Sequence, residues 1–141
     1  MFKTILVALD SSALSERVVQ TLAEFCLQPE TKVILAHVVS PAETDIERPA
    51  DQPQIDSELG LYRHLEKQLQ AWQADLSYPS ELEIVAGDPA EEIIRLANIH
   101  QATLIVIGSR GLTGLDRILQ GSVSSQVVMD APCSVLVVKP H

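Results

Sequence analysis

Residues 104–124 read LIVIGSRGLTGLDRILQGSVS. Residues 104–107 are all apolar, which is typical of a parallel strand that is buried on both faces. A segment with the spacing Gly, two residues, Gly, nine residues, Gly-Ser follows, and a helix is predicted to begin near Ser122. The order of strand, glycine-rich loop and helix predicts an α/β sheet with an anion-binding loop at one end.

The rest of the chain alternates in the same way. Apolar runs predict further strands at residues 3–10, 33–39, 82–86 and 134–138. Helical periodicity covers residues 14–26 and 56–77, and a third helix is predicted to start with Asp88 as its cap and Pro89 at its first position. Alternation throughout predicts one domain over residues 1–141, with a parallel sheet between layers of helices. Residues 40–55, rich in proline and acidic side chains, are predicted to form a surface loop.

In such sheets a ligand lies beyond the carboxyl ends of the strands. The glycines of residues 108–121 allow the backbone to approach a phosphate closely, and Arg110, Ser122 and Ser124 supply donors for its oxygens. Neither a Gly-Lys-Ser/Thr loop nor G-x-G-x-x-G occurs, which disfavours P-loop chemistry and NAD binding. Two simpler interpretations stay open: the glycines serve packing alone, and Asp10 only caps the next helix.

The composition of the chain disfavours nucleic acids and membranes as binding partners. The formal net charge is −9, and a chain this acidic lacks the basic face that nucleic acids and anionic lipids need. No apolar stretch of membrane-spanning length and no leader peptide are recognised, so we expect no membrane association. Cys26 and Cys133 stand far apart without metal-ligand spacing, which is typical of reduced thiols in a cytoplasmic protein.

The histidines and the tryptophan have structural interpretations. His37 interrupts an apolar run and is interpreted as a core residue. His64 and His100 are expected on helix surfaces, and no histidine pair has the spacing of a metal site. Trp72 is interpreted as a core or dimer-packing residue.

Four segments together resemble the universal stress protein family, of the ATP-binding kind. They are KTILVALDSS (3–12), VILAHVVSP (33–41), AGDPAEEII (86–94) and TLIVIGSRGLTGLDRILQGSVSSQVVMDAPCSVLVVKP (103–140). The resemblance implies an open twisted sheet of five parallel strands in the order 3-2-1-4-5, with helices on both faces. This is the Rossmann-like fold of the adenine nucleotide α-hydrolase type. It also implies bound ATP, with Asp10 near the ribose or near a Mg²⁺ ion that the phosphates bind.

The resemblance carries roles over to individual positions. The nucleoside side of the site would be formed by Ala8, Leu9 and Asp10, and the backbone of Val38 would meet the adenine edge. The ribose and phosphates would be lined by Ile107, Gly108, Arg110 and Gly111, and the phosphates held at a helix start by Gly121, Ser122, Val123 and Ser124. Thr103 departs from the family, which often has Asp just before the fourth strand.

Three functions remain open from the sequence. The resemblance favours an ATP-binding module of a stress response or of signalling, with at most slow hydrolysis because no base for phosphoryl transfer is recognised. The alternatives are an adenylyl-transfer enzyme on the same fold and a nucleotide-free dimeric interaction module. The family commonly forms homodimers through its last strand, here Ser134–Val138, and that apolar segment suits an edge.

Overall fold

A computed structural model describes residues 3–9, 13–25, 28, 30–39, 54–76, 78–108 and 122–139 of the 141-residue chain. Within these ranges strands and helices alternate as predicted. In chain order the elements are β1 (Thr4–Ala8), α1 (Ala13–Ala23), β2 (Lys32–Val39), α2 (Gln54–Asp75), β3 (Ser80–Ala86), α3 (Pro89–His100), β4 (Leu104–Gly108), α4 (Ser122–Asp130) and β5 (Ser134–Val138).

The five strands form one parallel sheet in the order β3-β2-β1-β4-β5, which confirms the predicted 3-2-1-4-5 order. The chain first builds outward from β1 through β2 to β3, and then returns to place β4 on the other side of β1. The direction of building therefore reverses between β1 and β4. In open α/β sheets this reversal opens a crevice beyond the carboxyl ends of the two strands.

The apolar residues of the sheet pack on both faces. On one face, alternate residues of β1 such as Ile5 and Val7 form a core with α1 and α2, which includes Leu22, Leu69 and Trp72. On the other face, a second core joins the sheet to α3 and α4 through Leu6, Ile34, Ile93, Leu96 and Val127. The helices thus cover both faces as predicted, and the core interpretation of Trp72 is confirmed at 8% exposure.

The third strand begins earlier than its apolar pattern predicts. The register continues the pairing to Ser80 and Glu81, which lie beside Val33 and Ile34 of β2. Because β3 is an edge strand, polar residues such as Ser80 and Glu81 can occur in it. A prediction based on runs of apolar residues does not include them. Lys32 and Glu81, whose ammonium and carboxylate groups lie 3.4 Å apart, add an exposed ion pair at this end.

The start of α3 agrees in detail with its prediction. Asp88 adopts an extended backbone, its side-chain carboxylate accepts the Glu91 N–H at 3.1 Å, and Pro89 occupies the first helical position. Gly87 precedes the cap with φ +145°, a conformation that L side chains rarely adopt, and a Cβ there would come within 3.0 Å of the Glu92 side chain.

Two histidine predictions have different outcomes. His64 is exposed on α2, as predicted. The expectation for His100 is wrong: its side chain is only 13% exposed, and its Nε2 lies 3.3 Å from the Glu83 carboxylate of β3. The reason is that the last turn of α3 lies against the edge strand, which helical periodicity alone does not reveal.

No helix in the described part of the chain combines the length and apolar character that a membrane crossing requires.

Candidate functional site

The crevice between β1 and β4 gathers four of the predicted site residues. Ala8 and Ile107 are register partners at the carboxyl ends of their strands, and Gly108 is the last residue of β4. Leu9 follows β1 directly, and its N–H still donates to Ala36 O of β2 at 2.8 Å. These residues come from separate parts of the sequence and meet where the strand order reverses.

A second group of predicted residues packs near the carboxyl ends of the same strands. Val38 from β2 and Val123 from the first turn of α4 belong to the same apolar cluster as Ala8 and Ile107. Ser124 is also buried, at 6% exposure. Residues of β1, β2, β4 and α4 therefore form one apolar cluster beside the start of α4, and we term Ala8, Val38, Ile107 and Val123 its aliphatic floor. Aliphatic side chains suit contact with a flat apolar group such as a purine ring.

The first turns of the helices differ in charge. Glu16 stands in the first turn of α1, and Glu91 and Glu92 stand in that of α3, whose cap is the Asp88 carboxylate. The first turn of α2 contains Asp56. The first turn of α4 reads SVSS and has no acidic residue. Because a helix N-terminus carries partial positive charge that acidic side chains offset, α4 is the described helix best suited to an anion.

His37 adds a contact that the sequence does not predict. Its ring is 2% exposed, which confirms the core interpretation, and its Nδ1 lies 2.8 Å from the carbonyl oxygen of Leu9. A carbonyl oxygen can only accept, so Nδ1 carries the proton in this hydrogen bond. A core histidine thus holds the backbone of one predicted site residue, Leu9, and immediately precedes another, Val38. No sequence signal reveals this, because the partners lie 28 positions apart.

Other predicted positions lie outside the described residues. These are Asp10, Arg110, Gly111 and Gly121, the side chain of Ser122, the loop at residues 40–53 and Cys26. Their roles stay predictions. Among the residues that are described, no group of three or more His, Cys, Asp or Glu side chains could hold a metal ion.

Glu92 and Cys133, both near the sheet, have shifted pKa values. Glu92 lies on α3, and its side chain is close to Gly87. A hydrogen bond from Arg95 lowers the pKa of Glu92. Burial raises the pKa of the Cys133 thiol just before β5, because a thiolate is poorly solvated there. Neither group lies in the crevice between β1 and β4, so we assign neither to the site.

The sheet order and the two helical layers define an α/β protein of the adenine nucleotide α-hydrolase-like class. The model of the universal stress protein family matches residues 1–139, and the chain belongs to this family.

Individual relatives agree over nearly the whole chain. The universal stress protein MJ0531 of Methanocaldococcus jannaschii is 31% identical over 146 residues, which span 99% of this chain and 83% of the relative. The universal stress protein MJ0577 of the same organism is 30% identical over 161 residues, covering 99% and 96%. Its solved structure superposes with a TM-score of 0.83 and covers 100% of this chain and 98% of its own.

A second solved structure contains a ligand. It is a universal stress protein in complex with cAMP, with a TM-score of 0.68 and 25% sequence identity, and the match covers 98% of this chain and 97% of that one.

Proposed function

We propose that this chain binds ATP in the crevice between β1 and β4 and acts as a nucleotide-dependent module of a stress response or of signalling. The observation that carries the proposal is the aliphatic floor of Ala8, Val38, Ile107 and Val123, which lies beside a helix start without acidic residues. The floor suits a purine and the helix start suits phosphates. The cAMP complex of a relative in the same family supports an adenine nucleotide as the ligand.

The proposed pose assigns each predicted residue a role. Ala8 and Leu9 contact the nucleoside, and the Val38 backbone contacts the adenine edge. The ribose and phosphates lie along Ile107, Gly108, Arg110 and Gly111, and the phosphates end at Gly121, Ser122, Val123 and Ser124. Asp10 would hold a Mg²⁺ ion together with the phosphates, since Mg²⁺ is usually bound by one or two carboxylates and by phosphate oxygens.

Any hydrolysis is proposed to be slow, below about one turnover per minute where ordinary enzymes reach about 10 per second. Fast phosphoryl transfer needs a group that activates or orients the nucleophile. Asp88 follows the carboxyl end of β3, but its carboxylate already accepts the Glu91 N–H, so it is poorly placed as a base.

We also propose a cytoplasmic location, since Cys133 is a free thiol as is usual in a reducing compartment.

Substitution of Gly121 by Val tests the binding site. A branched side chain next to Ser122 would occupy the space proposed for the phosphates, so we expect ATP affinity to fall by about 100-fold or more in isothermal titration calorimetry. Gly60→Val is the matched control, because Gly60 is exposed on α2 and a Cβ there meets no atom within 4 Å. Unchanged affinity in a folded Gly121→Val protein would contradict the proposed phosphate position.

A further inference from the structure

The backbone hydrogen bonds between β1 and β2 end at Leu9, which uses its N–H but not its C=O in the pairing. Leu9 N donates to Ala36 O at 2.8 Å, as in a regular parallel pair. In such a pair the carbonyl of the same residue accepts the N–H two positions further along the partner strand, which here belongs to Val38. That second bond is not formed between these two described groups, and the register ends at the Ala8–Ala36 pair.

The Leu9 carbonyl is bonded to His37 instead. The ring Nδ1 is 2.8 Å from this oxygen, and both residues are buried. The side chain of His37 thus takes the acceptor that the Val38 N–H would use if the ladder continued. A carbonyl in this position needs a donor, because leaving it buried and unbonded costs about 1–3 kcal/mol.

The direction of the Val38 peptide groups follows from the same ladder. On a parallel strand the N–H and C=O of one residue point to the same side, and successive residues alternate sides. Ala36 O points to β1, so the N–H and C=O of Val38 also point to the β1 side. They lie beyond the Ala8–Ala36 pair, which is the last of the register. One N–H donor and one C=O acceptor of Val38 therefore stand next to each other, beyond the last residue pair of β1 and β2.

We propose that His37 is a positioning residue that makes the site selective for adenine. By binding the Leu9 carbonyl, it keeps the Val38 N–H out of the ladder and available to the base; this inference rests on the ATP site proposed above. The Watson–Crick edge of adenine offers a ring-nitrogen acceptor beside an amino donor, which complements a peptide N–H and C=O. The same edge of guanine offers a donor beside an acceptor and does not match.

Two amide substitutions separate the hydrogen bond from mere burial. Asn places its side-chain N–H₂ at about the distance of Nδ1 from the backbone, whereas Gln places it one bond further out. We expect His37→Gln to lower ATP affinity by about tenfold, because the Leu9 carbonyl then takes the Val38 N–H. His37→Asn restores the donor and should keep ATP affinity within about threefold of the parent chain.

The selectivity between ATP and GTP is the decisive measurement. Titration calorimetry of the parent chain and both variants gives the ratio of the two affinities. The ratio should collapse toward one in His37→Gln and persist in His37→Asn, whereas general loosening of the core would weaken both nucleotides alike. A ratio that is unchanged in folded His37→Gln, or lost equally in both variants, would overturn the inference.

Nuclear magnetic resonance of the parent chain gives a test that does not depend on folded variants. We expect Nδ1 of His37 to carry the proton that is donated to the Leu9 carbonyl, and the Val38 amide proton to move downfield when ATP is added. A proton on Nε2 alone, or an unmoved Val38 signal at saturating ATP, would contradict the assignment. If the parent chain binds neither ATP nor GTP, the proposed function itself fails together with this inference; if it binds ATP and only the His37 results fail, the proposed function stands.

Discussion

At the scale of single residues, Thr103 shows how one side chain joins two strands at their amino ends. Its hydroxyl accepts the Lys3 N–H at 3.0 Å and the Thr4 N–H at 3.2 Å, and donates to Thr4 O at 3.1 Å. The resemblance to the family indicates that Asp is frequent at this position. An ionised Asp could accept both N–H groups but could not donate to the carbonyl. Threonine therefore performs both parts of this contact without adding charge.

Thr103→Val should destabilise the protein by about 1 kcal/mol, because the isosteric side chain loses the hydroxyl and the bonds are partly open to water. Urea denaturation gives the free energy of unfolding. Thr103→Ser keeps the hydroxyl and is the control, expected within about 0.5 kcal/mol of the parent. Unchanged stability in Thr103→Val would contradict a contribution from these hydrogen bonds.

At the scale of elements, the two edge strands of the sheet differ in chemistry. β3 carries Glu81 and Glu83, which pair with Lys32 and His100. β5 has the sequence SVLVV without a charged residue, and its three central residues are only partly buried. An apolar, uncharged edge invites pairing with another strand, whereas charged side chains discourage it. Val128 and Met129 of the neighbouring α4 are also exposed.

We therefore propose that two copies of the chain associate through β5. Light scattering coupled to size-exclusion chromatography should give the mass of a dimer, and Val135→Lys should convert it to a monomer by placing a charge on the apolar edge. Ile84→Lys on β3 is the matched control, because Ile84 is also a partly buried apolar residue of an edge strand. A monomeric parent chain, or loss of the dimer in the control alone, would contradict pairing through β5.

At the scale of the whole molecule, the proposed ligand would connect parts of the chain that the sheet brings together. The pose spans β1, β2, β4 and α4, which meet in one apolar cluster. A ligand held by several elements binds the folded state and has no equivalent site in the unfolded chain. Its binding free energy therefore adds to the stability of the whole fold.

ATP at 100 times its Kd should add about 2.7 kcal/mol to the free energy of unfolding, and thereby raise Tm by about 8 °C. Differential scanning calorimetry with and without Mg²⁺ measures the effect. The proposed Asp10–Mg²⁺ contact predicts a larger Tm shift with Mg²⁺ present, and Asp10→Asn should remove that difference while keeping the shift seen in EDTA. A Tm that does not respond to ATP would contradict nucleotide binding, and a parent chain indifferent to Mg²⁺ would contradict the metal contact alone.

The elements that sequence reasoning predicted well are those whose signals are local. The buried strands β1 and β4 follow from continuous apolar runs, and the start of α3 follows from Asp88, Pro89 and the acidic first turn. The start of β3 and the surroundings of His100 were mispredicted, because both depend on the edge position of β3 in the sheet. The strand order came from resemblance to a family rather than from any local signal.

The sequence alone determined which segments are strands and helices and which apolar faces are buried, because burial of apolar surface favours these periodicities wherever the segment lies. Which polar groups form hydrogen bonds depends instead on how the chain folds in three dimensions. His37 reaches Leu9 across 28 positions, and Thr103 reaches Thr4 across 99. Hydrogen bonds form over about 3 Å and require direction, so their partners depend on strand order and register, which bring distant residues together.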